Sequence, residues 1–378
     1  MEDLIYWVWL ACQATETNKP IRKLLLEIKD PKIIYFMDEA QLRAVPYLND
    51  YAVLRLLNKD IDNAKKIIEK CEINNYNIIC YADEYYPERL RNIEDFPIVL
   101  YHRGHKFKFD ELLSISVVGT REPSAYGIKM AKDIARELAY NKVLVVSGMA
   151  LGIDAEAHMG AMSIDKPTVA VLGSGIDVIA PKTNTNIYNY MLTNGAIYSE
   201  YPPGTPGRPV NYPRRNRIIS ALSVGLLVVE AHKNSGALIT ANYALKQGKD
   251  IYAVPNTADN AKGDGTNKLI KEGAVLTTCA VDILNEYKGQ YIKEDIVTFD
   301  EETYNKEFLS EDFVERFDDL TPVEEVIAKS IGTKAMDVDE ISEISRIPVD
   351  YVLSSLTMLE IKGVIKSVPG KGYVLNIN

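Results

Sequence analysis

The chain has few of the residues on which disulfide, metal and redox chemistry depend. Its 378 residues include four cysteines and four histidines, and the cysteines are scattered with no C-x-x-C pair. This spacing argues against a disulfide framework and against a thiolate zinc site. His102 and His105 form an H-x-x-H pair without a third ligand, so the sequence predicts no metal site.

Long apolar runs are also missing. No stretch reaches the roughly 18 consecutive apolar residues that would indicate a membrane-spanning helix. Residues 1–12 are apolar enough to suggest a signal segment, but Glu2 and Asp3 stand where such a segment carries basic residues. Because its thiols are unpaired as well, we expect a cytoplasmic protein with no membrane partner.

The chain lacks an excess of positive charge, since its formal net charge is −10. The acidity is local, however. Residues 285–319 hold twelve acidic and four basic residues, residues 320–378 carry a balance of −2, and the first 284 residues are therefore neutral. A polyanion responds to the local field and not to the total charge, so the composition does not exclude nucleic acid as a ligand.

The fingerprints of common nucleotide cofactors are absent. A dinucleotide site needs G-x-G-x-x-G after the first strand, but that loop has a single glycine before Arg121, and the run from Gly173 is G-S-G-I-D-V. No G-x-x-x-x-G-K-[ST] is present either. Ser147 and Ser235 follow no nucleophile-elbow pattern. The sequence therefore predicts no cofactor.

What the chain does have is a dense basic cluster, Y-P-R-R-N-R from Tyr212 to Arg217, followed at once by an apolar run. Arginine presents a planar fork of donors that fits phosphate oxygens. The cluster of Arg214, Arg215, Asn216 and Arg217 is therefore a candidate anion clamp, and it favours nucleic acid as the ligand.

The cluster lies in a stretch where short apolar runs alternate with helical patterns. The predicted strands are Ile115–Val118, Val143–Val146, Val169–Leu172, Ile197–Ser199, Leu226–Val229 and Ile251–Val254. Because these runs are mostly apolar throughout, the pattern predicts a doubly wound, mostly parallel α/β sheet covered on both faces.

Loops rich in glycine or small residues follow these strands. In an open α/β sheet such loops meet at the carboxyl edge, where backbone N–H groups and helix N-termini approach phosphates. The candidate phosphate-binding residues of these loops are Gly119, Thr120, Arg121, Ser147, Gly148, Gly173, Gly175, Ser235 and Gly236.

Smaller parts flank this body. Helices are predicted at Ile21–Ile28, Pro31–Met37 and Ile61–Cys71. The last 59 residues show three helical patterns and a β-ribbon with its turn at residues 369–371, which is typical of a winged helix-turn-helix.

A hydrolase would use different residues. Asp154 and His158 are one helical turn apart, and Glu230 ends a strand, so the three could form a catalytic group. Each has a structural alternative: Asp154 could cap the helix that carries His158, and Glu230 could pair with an arginine of the cluster.

Several motifs together resemble the DprA/Smf DNA-processing family. They are G-T-R at Gly119–Arg121, S-G-M-A-L-G-I-D at Ser147–Asp154, S-E-Y-P at Ser199–Pro202, Y-P-R-R-N-R-I-I-S at Tyr212–Ser220, and the E-A and S-G-A-L-I-T-A runs between Glu230 and Ala241. The match covers residues 86–280. The winged helix matches that of many members, and the N-terminal helices are similar to the family's helix-hairpin-helix-like (SAM-like) domain, although Val45–Leu48 lacks the hairpin glycine.

This resemblance implies a binding protein and not an enzyme, with no catalytic residues. Family members bind and protect single-stranded DNA, form homodimers through a Rossmann-like body, and load RecA onto strands taken up in natural transformation. The implied domains are a helical domain at 1–75, an extended Rossmann-like DNA-binding domain at 76–284, an acidic linker at 285–319 and a winged helix at 320–378.

The resemblance also assigns roles to single residues. Arg121 and Lys182 are the implied DNA contacts, and Arg215 is expected to contact DNA as well. Arg217 either contacts DNA or pairs with Glu230. A tyrosine commonly precedes the family proline next to this lysine, but here the residue is Ala180.

Two other functions remain open. Related Rossmann-like folds include nucleotide phosphoribohydrolases, which carry P-G-G-x-G-T where this chain has the different loop Asn234–Ile239. A transcription regulator would use the winged helix, but the third helix of that domain carries Asp350 and Glu360 and no arginine, which makes it a poor reader of the major groove.

Overall fold

The structure is a computed structural model that describes residues 3–14, 19–293, 296–299, 320–331, 335–368 and 372–376. The chain divides into two compact units, residues 1–297 and residues 298–378. The segment 300–319, which holds most of the predicted acidic linker, lies outside the described residues.

The first unit is built on a nine-stranded sheet. Its strands are β1 Asn77–Cys80, β2 Val99–Gly104, β3 Ser114–Val118, β4 Leu144–Ser147, β5 Thr168–Leu172, β6 Ala196–Ser199, β7 Gly225–Val228, β8 Asp250–Ala253 and β9 Val275–Leu276. Their order is β1-β2-β6-β5-β4-β3-β7-β8-β9. Strands β3 to β9 are parallel, whereas β2 is antiparallel to both of its neighbours. The predicted doubly wound, mostly parallel sheet is therefore confirmed.

Helices cover both faces of this sheet, and every residue of β3, β4, β5, β6 and β7 is buried. This burial explains why the strand sequences are apolar without alternation. The helices of the body are α7 Glu88–Arg91, α8 Ala125–Tyr140, α9 Ile153–Met162, α10 Thr185–Asn194, α11 Asn211–Leu222, α12 Gly236–Lys246, α13 Asp264–Lys271 and α14 Ala280–Leu284.

The N-terminal helices pack on this body. They are α1 Leu4–Gln13, α2 Lys19–Ile28, α3 Pro31–Phe36, α4 Glu39–Arg43, α5 Asp50–Leu57 and α6 Asp62–Ile73. Their buried side chains, such as Trp9 and Leu24, belong to the same hydrophobic cluster as the sheet. A buried hydrogen bond adds to this contact, because Arg22 Nε donates to the Phe96 carbonyl at 2.6 Å. The helical segment and the sheet thus form one compact unit.

The second unit has the predicted winged-helix pattern. It contains α15 Pro322–Ser330, α16 Val338–Ser345 and α17 Val349–Ile361, followed by the antiparallel pair β10 Ile365–Val368 and β11 Gly372–Leu375. Residues of all three helices, among them Ile327, Ile341 and Leu356, form a separate hydrophobic cluster. The predicted wing turn at 369–371 lies outside the described residues. Among the helices that the structure describes, none is both long and apolar enough to cross a membrane.

Candidate nucleic-acid interface

A cleft opens where the order of the strands reverses. From β3 the chain proceeds through β4, β5 and β6 on one side, and then through β7, β8 and β9 on the other. Ligands of open α/β sheets bind at such a point, outside the carboxyl ends of the strands. The cleft has a volume of about 470 Å³ and is lined by the loops after β3, β4 and β7 and by α11. We call it the switch-point cleft.

The loop after β3 is held firmly from two sides. Thr120 N donates to the Glu230 carbonyl at 2.7 Å, and Ile153 N donates to the Thr120 carbonyl at 3.1 Å. Gly152, just before α9, has a φ of +76°, and a side chain there would overlap the Thr120 carbonyl. This packing fixes the backbone that carries Arg121.

Arg121 is exposed on the wall of the switch-point cleft. Its guanidinium carbon lies 5.3 Å from the centroid of the Tyr212 ring, which is within the range of a cation–π contact. It makes no ion pair within the described part of the chain, so its donors are available to a phosphate. The prediction from the sequence overlooked Tyr212. The four-residue spacing of Tyr212 and Asn216, which puts both on one face of α11, was the available signal.

Lys182 lies next to the cleft, although it does not line it. The exposed lysine begins the short 3₁₀ turn Lys182–Asn184. From this turn, the Asn184 amide nitrogen donates to the carbonyls of Met149 at 3.0 Å and Ala150 at 3.1 Å. Because Ala150 lines the cleft, these bonds fix the lysine-bearing turn to the cleft's rim.

Arg215, a predicted DNA contact, lines the switch-point cleft but is almost completely buried. It is 3% exposed, and its Nη1 donates to the Gly148 carbonyl at 2.7 Å and also to the Val171 carbonyl. Any side chain at position 148 would overlap the guanidinium. Because Nη1 donates to carbonyls at the ends of β4 and β5, Arg215 stabilises this edge of the sheet.

Arg217 is also structural, but its predicted pairing with Glu230 is wrong. Its Nη2 donates to both Glu200 carboxylate oxygens, at 2.8 and 2.7 Å, and its Nε lies 3.1 Å from Asp95 Oδ2. Arg22 of α2 lies 3.4 Å from the same Glu200. Arg217, which is 1% exposed, therefore helps to join the N-terminal helices to the body.

The remaining cluster residues point in different directions, because successive helix positions turn by about 100°. Asn216 lines the switch-point cleft, and its Oδ1 accepts a hydrogen bond from Arg215 Nε at 3.2 Å. Arg214 lines a different cavity on the other side of α11. The four residues do not form the single clamp that their adjacency suggested.

Several of the predicted loop residues are also used internally. Ser147 Oγ is buried and donates to the Val117 carbonyl at 2.6 Å. The Gly173 carbonyl accepts from the Asn211 amide at 3.0 Å, and Gly175 N donates to the Thr205 carbonyl at 2.9 Å. Together with Gly148, these residues support the loops around the cleft and are not among the residues that line it.

Three of the predicted loop residues line the cleft: Gly119, Ser235 and Gly236. Ser235 caps α12, since its Oγ accepts from Ala237 N at 3.3 Å. Thr120 is half-buried and supports the loop through its backbone. The wall formed by these loops thus offers small residues and a helix N-terminus, which suit the close approach of an anion.

Glu230, proposed as a catalytic acid, has a structural use. It is fully buried, and it accepts hydrogen bonds from Ser124 N at 2.8 Å and Ser124 Oγ at 2.7 Å. Ser124 in turn caps α8 by accepting from Gly127 N at 3.1 Å. Glu230 therefore holds the start of α8.

Asp154 and His158 do not pair with each other through the hydrogen bonds described. Burial raises the pKa of the Asp154 carboxyl, and the charge of Arg215 and the Ala150 and Gly148 amides partly offset this effect. His158 Nδ1 lies 2.7 Å from Thr168 Oγ1. Burial first, and then the charge of Arg215, lowers the pKa of His158 to about 3, so the imidazole is neutral at physiological pH.

Comparison with known proteins agrees with this architecture. The family model described as DNA recombination-mediator protein A matches residues 77–288, and the DprA winged helix domain matches residues 317–371. The chain belongs to the DprA/Smf family. Protein Smf of Escherichia coli is 34% identical over 342 residues, covering 89% of this chain and 88% of the relative.

Solved structures of DprA/Smf proteins match as well. DNA processing protein A from Streptococcus pneumoniae has a TM-score of 0.66 at 31% identity and covers 75% of this chain and 98% of that chain. The Helicobacter pylori protein, described with a single-stranded DNA binding mode, has a TM-score of 0.51 at 30% identity and covers 56% and 94%.

Proposed function

We propose that this chain binds single-stranded DNA at the switch-point cleft, with Arg121 and Lys182 as its phosphate contacts. The observation that carries the proposal is the placement of Arg121: it is exposed on the cleft wall beside Tyr212, whereas Arg215 and Arg217 are buried. Tyr212 adds an aromatic face, and stacking on aromatic rings is the sequence-tolerant element of single-strand binding.

Two features of the cleft, its positive charge and its small loop residues, support binding of a DNA strand. The two cations attract phosphates, and the glycine and serine residues after β3 and β7 let the DNA backbone approach the helix N-terminus of α12. The H. pylori relative, described as binding single-stranded DNA, supports the same ligand here. We expect a preference for single strands over duplex, without strong sequence dependence.

We further propose that the chain acts by binding and not by catalysis, and that as a homodimer it protects incoming strands and loads RecA during natural transformation. Family membership supports this role. The alternative of a phosphoribohydrolase would need a free acid at the end of β7, but Glu230 is buried and occupied by Ser124. Glu230→Gln should therefore change stability, with no loss of a nucleotide-hydrolysing activity.

The first test is a fluorescence-anisotropy titration of matched single-stranded and duplex oligonucleotides. Arg121→Ala and Lys182→Ala should each weaken single-strand binding and reduce its salt slope by up to about 0.7, the value for one lost phosphate contact on a single strand. Lys271→Ala, which removes an equal charge from an exposed position on α13, is the matched control. Equal or tighter binding to duplex, or unchanged affinity in both variants, would contradict the proposal.

A further inference from the structure

Parallel strands bring their carboxyl ends to one edge of the sheet, in the order β6, β5, β4, β3 and β7. Because neighbouring strands lie about 4.8 Å apart, the ends of β6 and β7 are separated by about 19 Å along this edge. The switch-point cleft lies among the loops that follow these strands. The edge therefore extends beyond the cleft on both sides.

Four of these five loops carry an exposed cationic side chain. Arg208 lies in the loop after β6, Lys182 in the loop after β5, Arg121 in the loop after β3 and Lys233 in the loop after β7. None of the four makes an ion pair within the described part of the chain. We call these residues the cationic row, because the order of the strands places them one after another along the edge.

The acidic residues of the same loops are mostly engaged. Glu200 and Asp177 are held by basic side chains at 2.7 and 2.8 Å. Glu230 is buried and hydrogen-bonded to Ser124. Glu122 is the remaining acidic residue of these loops, and it is exposed. Four exposed cations therefore stand against one exposed carboxylate, which gives this edge a field that attracts phosphates.

The loop that carries Arg208 has a fixed backbone at one rim of the cleft. It accepts a hydrogen bond of 2.9 Å from the backbone of the loop after β5. A side chain at Gly207 would overlap the Tyr212 hydroxyl, so the loop packs closely on the ring that also contacts the central part of the row. Pro209, the neighbour of Arg208, lines the switch-point cleft. Arg208 therefore lies at the rim of the cleft.

The turn that carries Lys233 forms the opposite rim. Ser235 N donates to the His232 carbonyl at 2.8 Å, which closes this turn. Ser235 and Gly236 line the cleft, so Lys233 lies two residues beyond its lining. Helix α12 begins at Gly236, and the partial positive charge of its N-terminus adds to that of the lysine.

We propose that a single DNA strand crosses the carboxyl edge from rim to rim, with Arg208 and Lys233 as its outer phosphate contacts and Lys182 and Arg121 as its central ones. This path rests on the proposed function and extends it by two contacts. At about 3.4 Å per nucleotide of a stacked strand, a row of about 19 Å spans about six nucleotides. A strand of that length contacts all four cations, whereas a shorter one cannot reach both rims.

The test is an anisotropy titration of the full chain with oligothymidylates of about four and about eight nucleotides, one shorter and one longer than the row. Wild type should bind the longer strand more tightly. Arg208→Ala and Lys233→Ala should each weaken binding of the longer strand about fivefold at about 0.1 M salt, since one lost contact lowers the salt slope by about 0.7 over the decade below about 1 M. The double variant should bind the shorter strand nearly as wild type does and lose most of the gain from length.

The matched control is the double variant Lys66→Ala with Lys271→Ala, which removes two exposed lysines from α6 and α13 and should leave the length dependence unchanged. The path is overturned if Arg121→Ala weakens binding while either rim variant leaves it unchanged, or if the lysine control reduces the length dependence as much as the rim pair does. Absence of single-strand binding by wild type, or unchanged binding in both Arg121→Ala and Lys182→Ala, would overturn the proposed function itself.

Discussion

At the scale of single residues, burial decides what each arginine does. Arg215 keeps its charge in the interior because Asp154 faces it and the carbonyls of Gly148 and Val171 accept its hydrogen bonds. Arg121, seven residues beyond the start of β3, is exposed and keeps its donors for a ligand. The same type of side chain therefore stabilises the fold at position 215 and is available for binding at position 121.

Replacement of Arg215 should consequently lower stability. In Arg215→Met the buried carbonyls of Gly148 and Val171 lose their hydrogen-bond donor, and leaving buried polar groups without a partner costs about 1–3 kcal/mol of unfolding free energy. Chemical denaturation of the variant measures the loss. Arg121→Met is the control and should stay within about 0.5 kcal/mol of wild type, as exposed substitutions do. If a variant at position 215 unfolds like wild type but binds DNA more weakly, the result would show that Arg215 contacts phosphate.

His158 gives the stability a dependence on pH. Its pKa is about 3 in the folded chain, compared with 6.5 for the ordinary side chain, so the unfolded chain binds more protons below pH 6.5 and stability falls as the pH is lowered. Between pH 7.5 and 5.5 this residue should contribute a loss of about 1.4 kcal/mol. Denaturation of His158→Asn across this range should show a correspondingly smaller loss of stability.

At the scale of elements, α11 illustrates what could and could not be predicted. The basic cluster in this helix was evident from the sequence, although no helix was predicted there. The six strands predicted from Ile115 to Val254 correspond to β3 to β8, because buried parallel strands are continuous apolar runs. The role of each arginine could not be predicted, since α11 is buried on more than one side and its neighbours come from distant parts of the chain. Glu200, which binds Arg217, is an example.

Two other elements, α1 and β2, were not predicted from the sequence, for a related reason. Helix α1, Leu4–Gln13, is apolar over most of its length, so it lacks the period that identifies an amphipathic helix. Strand β2, Val99–Gly104, was not among the predicted strands, yet it pairs antiparallel with β6 and thereby extends the sheet. Long-range pairing of this kind leaves no local signal.

The N-terminal cap of helix α8 should affect both the stability of the chain and its affinity for single-stranded DNA. Ser124→Ala removes the cap of α8 and leaves the buried Glu230 without its hydroxyl donor, so it should cost about 1–3 kcal/mol of unfolding free energy. Because the loop that carries Arg121 precedes this cap, single-strand affinity should fall too, but less than in Arg121→Ala. Thermal melts and anisotropy titrations on both variants measure the two effects. Ser124→Thr, which keeps the hydroxyl, should recover both.

At the scale of the whole molecule, charge is divided unequally between the two units. Residues 298–378 hold seventeen acidic and eight basic residues, so the chain's net charge of −10 is carried almost entirely by the second unit. The switch-point cleft, Arg121 and Lys182 all belong to the first unit, which is close to neutral. The field of the second unit therefore repels phosphates while the proposed contacts attract them.

Removal of residues 298–378 should accordingly leave most single-strand affinity intact, or increase it at low salt. The first unit has its own hydrophobic cluster, distinct from that of the winged helix, so the shortened chain should fold, as circular dichroism and a cooperative melt would verify. A binding isotherm beside the full chain at two salt concentrations measures the effect, and any gain should shrink at the higher salt because screening weakens the repulsion. A loss of tenfold or more, about 1.4 kcal/mol, in a folded chain of unchanged oligomeric size would instead make the winged helix a primary DNA site.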